Sequence, residues 1–286
     1  MVHGPGVDGE DGEPQVAGPP DSAATIAQLD EILEDCRARN SAIGYFPAMY
    51  RAVTAKLATD IEAARFENPQ LAERLVGTFA ARYFDAYRQH RSGRPSTRSW
   101  EAAFAMAEGR RRTILQHLLA GVNAHINLDL GVAAASVSER VVGPDLERFH
   151  RDFARVNAVL FALMDTVQDD LGKVSPWMGV IDWLGCRWDE GIMGCTIAVA
   201  RDGAWSFSRS LSAGGDRRAD LTAARDRWTA GLAAVIDSPR PLLRGATWLV
   251  LCREERDAAT VIDHLAGRRV DPARLQARSA GLPSGP

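Results

Sequence analysis

The densest chemistry in this chain lies in Asn123-Ala-His-Ile-Asn-Leu-Asp129, where Asn123, His125, Asn127 and Asp129 take every second position. The flanks, Leu118-Leu-Ala-Gly-Val122 and Leu130-Gly-Val-Ala-Ala-Ala135, are fit for a core. A buried imidazole or carboxylate without a partner costs a large part of a domain's stability. The four side chains must therefore satisfy one another, bind something or line a cavity.

Strict alternation also suits a half-buried strand, with all four polar groups on one face. The long apolar flanks and the absence of turn residues favour a helix. On a helix His125 and Asp129, four apart, share a face and reach one proton or one ion. Asp129 would orient the imidazole and His125 would serve as general acid or base, or both would ligate a divalent metal such as zinc. Catalytic zinc sites use about three protein ligands. His117 lies about 80° round the same helix by the α-helical repeat. His150, Asp165 and Asp169 are the other candidates, and nothing in the sequence selects among them. Asn123 and Asn127 fall on nearly the opposite face, tying down neighbours or lining a pocket. A hydrogen-bonded core pair accounts for the His125/Asp129 spacing equally well.

Two further sets carry polar or aromatic chemistry. Asn157 sits among Val156, Val159, Leu160 and Leu163, so it needs partners, and the Asn123/Asn127 pair would serve as an inter-helix clamp. Trp177, Trp183 and Trp188 lie close to Asp182, Asp189 and Glu190, with Trp205 and Phe207 shortly after. Such aromatic density fills a core, or walls a site for an apolar or cationic ligand. Asn123, Asn127, Asn157, Trp177, Trp183 and Trp205 are therefore the candidate substrate contacts.

The elements that must position these groups read as helices almost throughout, rich in Ala, Leu and Arg. Ser22 or Asp21 caps a first helix to about Arg39, and Pro47 begins a second. Asn68-Pro69 opens a third that stops before Ser92-Gly93. Ser99 caps a fourth, which bends near Gly109 or continues into 112–137. Gly143-Pro144 breaks the chain before a long amphipathic helix to about Leu171. Pro176-Trp177 starts a short one through Leu184, 190–211 carries Ile192, Ile197, Val199, Trp205 and Phe207, and 220–236 and 242–265 complete about eight or nine helices. The expectation is an all-α protein with a single multi-helix domain over 22–270. A disordered leader over 1–21 and a flexible tail over 271–286 flank it.

Composition narrows the function classes. Of 286 residues, 46% are hydrophobic and 25% charged, an ordinary globular balance. A net charge of −3 gives no field that would draw the chain to nucleic acid. The cysteines Cys36, Cys186, Cys195 and Cys252 form no Cys-x-x-Cys pair, which fits a reducing compartment. The N-terminus has no signal-peptide pattern, and the longest apolar run carries His125 and Asp129, so no integral membrane segment is expected. Walker A, Gly-x-Ser-x-Gly and His-Glu-x-x-His patterns are missing. Gly4-Pro-Gly-Val-Asp-Gly9 matches Gly-x-Gly-x-x-Gly only by chance, with no strand before it. A soluble, cytoplasmic protein with a small-molecule ligand is expected.

Several blocks together resemble the domain of unknown function 5995 family of bacterial helical proteins. They are Gly121-Val-Asn-Ala-His-Ile-Asn-Leu-Asp-Leu130, His150-Arg-Asp-Phe-Ala-Arg-Val-Asn157, Trp188-Asp189, Ala200-Arg-Asp-Gly-Ala-Trp205 and Tyr45-Phe-Pro-Ala-Met-Tyr-Arg-Ala-Val-Thr54, with Trp100. The resemblance implies one helical domain and no named activity. Gly121-x-x-x-His125-x-x-x-Asp129 is also similar to a helix of zinc-dependent phospholipase C and single-strand nuclease folds. That likeness implies His125 and Asp129 as zinc ligands. The second His-x-x-x-His/Glu helix of those enzymes has no match, because His150 is followed four later by Ala154, so a full three-zinc site is not expected. Two functions stay open. One is an enzyme whose His125/Asp129 pocket hydrolyses, cyclises or isomerises a largely apolar metabolite. The other is a non-catalytic binding protein in which the Asn/His/Asp set is a core network.

Overall fold

A computed structural model describes residues 20–109, 112–139, 141–174, 190–238, 248, 250–252 and 254–267. The expected tail, the expected leader apart from Pro20 and Asp21, the Pro176 helix, Trp177, Trp183 and Trp188 lie outside the described residues, as do the side chains of Asp165 and Asp169. Among the described residues there are helices and no strands. They are α1 (Ser22–Ala38), α2 (Tyr45–Glu62), α3 (Pro69–Arg91), α4 (Arg98–Glu108), α5 (Ile114–Ser138), α6 (Pro144–Val174), α7 (Glu190–Ala213), α8 (Arg218–Asp237) and α9 (Ala258–Leu265).

Local sequence explains most boundaries. The Asp21 carboxylate accepts from Ala24 N–H at 2.7 Å and caps α1. Asn68 caps α3, where Pro69 stands at a position whose N–H has no intrahelical partner. Thr113 and Gln116 form a reciprocal capping box at the start of α5. The turn before α6 passes through Gly143 at φ +59°, a region that disfavours a side chain.

Four boundaries differ from those expected. A 3-10 turn, Ala42–Gly44, feeds α2, which begins at Tyr45; Pro47 falls inside its first turn, where proline is tolerated. The fourth and fifth helices are separate, because α4 ends at an extended Gly109. The 190–211 segment ends later than expected, because α7 runs on to Ala213. The 242–265 stretch is interrupted: residues 248, 250 and 251 are helical, residues 254–257 are not, and Asp257 then caps a short helix, α9.

α5 is the axis of the fold. α2 and α4 pack along its first half, α3 and α7 along its second, and α8 touches both. By length and apolarity alone α5 would cross a membrane, but it is largely buried inside the protein. Its first half joins the largest apolar cluster, with Phe46, Tyr83, Trp100 and Phe104. Its second half packs on Phe149, Phe153 and Ala204. Helix axes come close where side chains vanish: a Cβ on Gly121 would lie 2.6 Å from Cγ of Phe46, so that ring sits directly on the backbone of α5.

Candidate functional site

The four polar residues occupy a local defect in α5. The helix is α-helical over Ile114–Ala124, π-helical over His125–Asp129 and α-helical again over Leu130–Ser138. Leu130 N–H donates to the His125 carbonyl across the widened turn. Single π turns inside α-helices are frequent at functional sites. Side chains satisfy the disturbed backbone and anchor it to α8. Arg225 Nε donates to the Asn127 carbonyl at 2.7 Å. Asn123 Nδ2 donates to the Thr229 carbonyl at 2.9 Å, and Asn127 Nδ2 to Asn123 Oδ1 at 3.0 Å.

On the other side, Asp129 is 1% exposed and fully engaged. Its Oδ1 accepts from Arg82 Nε of α3 at 2.8 Å, and its Oδ2 from Trp100 Nε1 of α4 at 2.7 Å. His125 Nδ1 lies 3.3 Å from the same Oδ2. Burial pushes the Asp129 carboxyl up, but the His125 hydrogen bond, the Arg82 charge and the Trp100 N–H together hold it below its ordinary value. It is ionised and can only accept, so the His125 proton sits on Nδ1. Burial lowers the His125 pKa and outweighs the raising effect of Asp129, so the ring is neutral. Its Nε2 therefore carries a bare lone pair, and this buried atom has no hydrogen-bond partner.

The imidazole is boxed by aromatic rings. It stacks on Phe79 with centroids 3.5 Å apart and planes 9° apart, and meets Tyr50 and Phe46 edge-on at 4.6 and 5.4 Å. Phe46, Tyr50, Phe79 and His125 line a cavity of about 380 Å³ between α2, α3, α5, α6, α7 and α8. The remaining wall is mostly aliphatic, including Leu57, Val76 and Leu130, with Thr54, Asn123, Asn127, Asp152 and Arg201 as its polar points. The Asp152 carboxylate accepts the Glu67 and Asn68 N–H groups, each at 2.8 Å, and so turns to the start of α3. Arg201 is 3% exposed. Its Nε donates to Asn157 Oδ1 at 2.5 Å and its Nη2 to the Phe153 carbonyl at 2.6 Å.

The structure thus brings His125, Asn123 and Asn127 to one cavity, with Asp129 behind the imidazole. Other expectations need correction. Asn157 does not clamp the Asn123/Asn127 pair; it accepts from Arg201, because α7 lies between α6 and the π turn. Trp205 is off the cavity wall and packs behind it on Phe149, His150 and Phe153, with centroids 5.7, 4.5 and 5.1 Å away. The metal reading also fails on geometry. Both Asp129 oxygens are taken by N–H donors, His125 turns its protonated nitrogen toward them, and His117 packs edge-on against Tyr45 at 5.7 Å. Among the described residues no group of three His, Cys, Asp or Glu side chains stands close enough to hold an ion.

Sequence reasoning missed Arg82, Trp100, Phe79 and Arg201. One signal for Arg82 existed, a lone arginine within the otherwise apolar Phe79-Ala-Ala-Arg-Tyr-Phe84, since a buried Asp129 calls for a cation. No curated protein and no solved structure matches the chain. A family model matches residues 23–239, which contain every element of this site. The chain belongs to that family, a family of unknown function (DUF5995).

Proposed function

We propose a soluble, cytoplasmic protein that takes a largely apolar small molecule into the central cavity, where His125 acts on it as a general base. The observation that carries this reading is the unpartnered Nε2 of a neutral imidazole on the cavity wall, fixed from behind by an ionised carboxylate. A base of this kind removes a proton from a hydroxyl, a water or an activated C–H. The imidazolium that forms is stabilised by Asp129, whose own charge is balanced by Arg82 and the Trp100 N–H. Asp129 is a positioning residue, because it does not reach the cavity. Hydrolysis of an apolar ester, with His125 deprotonating one admitted water, fits such a wall, and so does a proton-transfer isomerisation or cyclisation, which needs one base and little water.

A second reading is favoured by the closure of the network. His125 is 3% exposed and stacked on Phe79, and both Asp129 oxygens accept hydrogen bonds. In that case the cavity binds its ligand without transforming it.

The test is a thermal-shift screen of small apolar esters and ketones, followed by product detection by NMR. Wild type is compared with Val53→Trp, which fills the cavity from α2, and with His125→Gln. Binding lost in Val53→Trp, with turnover lost but binding kept in His125→Gln, is the expected result. Ligands that bind Val53→Trp as tightly as wild type refute the cavity reading. Binding without turnover in wild type leaves the non-catalytic reading.

A further inference from the structure

We propose that Arg201 anchors the acidic head of the cavity's ligand, which makes that ligand a monocarboxylic acid with an aliphatic body. This deepens the reading of the cavity as an apolar small-molecule site and rests on it.

Arg201 differs from the other buried charges near the cavity. Asp129 is matched by Arg82, and Asp152 is satisfied by two backbone N–H groups. Among the described residues Arg201 donates only to neutral acceptors, the Asn157 side chain and the Phe153 carbonyl. Among the described residues no carboxylate forms an ion pair with it; Asp202, its chain neighbour, is exposed. The Nη1 amine makes no hydrogen bond among those residues. The guanidinium carbon stands 4.6 Å from the centroid of the Phe153 ring, which fixes the plane of the fork. Burial lowers the pKa to about 10, so the group still carries its charge at neutral pH.

A desolvated cation held only by neutral groups lacks the compensation that such charges ordinarily have. A carboxylate supplies it, because a carboxylate oxygen can accept from the Nη1 that Asn157 and the Phe153 carbonyl leave open. One cation balances one monoanion, and the wall offers no second free cation among the described residues, which favours a carboxylate over a phosphate dianion. The rest of the wall, with Leu57, Val76 and Leu130, suits an aliphatic chain. At about 380 Å³ the cavity falls at the small end of the range of about 300–1,000 Å³ usual for small-molecule sites. A medium-chain acid fits that size.

Isothermal titration of the full chain with decanoate, kept below its micellar concentration, and with decan-1-ol separates head from body. Wild type is expected to prefer decanoate by roughly tenfold to a hundredfold, the effect of a charge-assisted hydrogen bond in a dry site. Arg201→Met should abolish that preference and leave decan-1-ol binding in place; Arg201→Lys should keep part of it and guards against a folding defect in the first variant. Equal binding of acid and alcohol by wild type overturns the anchor while sparing the apolar site. A preference for acid that survives in Arg201→Met also overturns it. Binding of neither probe overturns the anchor and the cavity reading together.

Discussion

Replacing Arg82 with methionine removes the only formal positive charge bonded to Asp129 among the described residues and keeps most of the side-chain volume. Breaking a buried ion pair from one side costs about 3–5 kcal/mol, because a buried charge is left uncompensated. Here the cost is smaller. The Arg82 side chain is 28% exposed, so water reaches its end of the pair, and the Trp100 and His125 N–H groups remain on the carboxylate. A loss of about 2–3 kcal/mol follows at pH 7. The control is Arg88→Met on the same helix, whose partner Asp85 is 62% exposed; that pair should contribute at most about 0.5 kcal/mol. Urea unfolding at pH 7 followed by far-UV circular dichroism reads both. The pH dependence carries a second signature. Asp129 has a lowered folded pKa, so its stabilisation is present above the unfolded carboxyl value of about 3.9 and is lost as pH falls through the folded one. Without Arg82 the folded pKa rises, and protonation then relieves the stranded charge. The gap between wild type and variant should therefore narrow below about pH 4. A cost for Arg82→Met no larger than for Arg88→Met would refute the account of a charge-balanced core.

Two further outcomes test the packing and the buried imidazoles. Gly131→Ala would place a Cβ 2.5 Å from Phe207 Cδ1 and 3.0 Å from the Ala204 carbonyl, which cannot move alone; a net loss of about 1–2 kcal/mol is expected despite the better helix propensity of alanine, measured as a shift in urea midpoint. Burial lowers the His117 pKa to about 4, against about 6.5 unfolded, so its contribution is complete above pH 6.5 and drains away as pH falls toward 4. Between pH 7 and pH 5 this amounts to about 2 kcal/mol, and His117→Phe should flatten the stability profile in that window, with His125 accounting for what slope remains.

The polar heptapeptide was legible because spacing alone pairs residues on a helix. Asn127 bonds Asn123, and His125 approaches Asp129, as the four-residue intervals require. The partners were not legible, because Trp100 is 29 residues from Asp129 and Arg82 is 47, and only tertiary packing decides which distant side chains arrive. The π turn leaves no trace in the sequence, since it shifts hydrogen-bond register without altering composition. The cavity was hidden for a related reason. Its wall of Leu, Val and Phe has the composition of a closed core, and a void is a property of how helices fail to meet. The aromatic wall was expected from the tryptophans after residue 176, yet the rings that enclose His125 come from α2 and α3. Aromatic density marks burial and says little about which surface is buried.

The burial of α5 also bears on how the chain is made. Its most lipophilic 25 residues are covered on one side by α7 and α8, which are synthesised later. A nascent chain that has reached residue 138 therefore presents a segment with the length and apolarity of a membrane span and lacks half its cover. An aspartate near the middle of such a segment adds about 2.5–3.5 kcal/mol to the free energy of entering a bilayer. Asp129, a core residue in the finished protein, thus also makes a bilayer a poorer environment for the unfinished one.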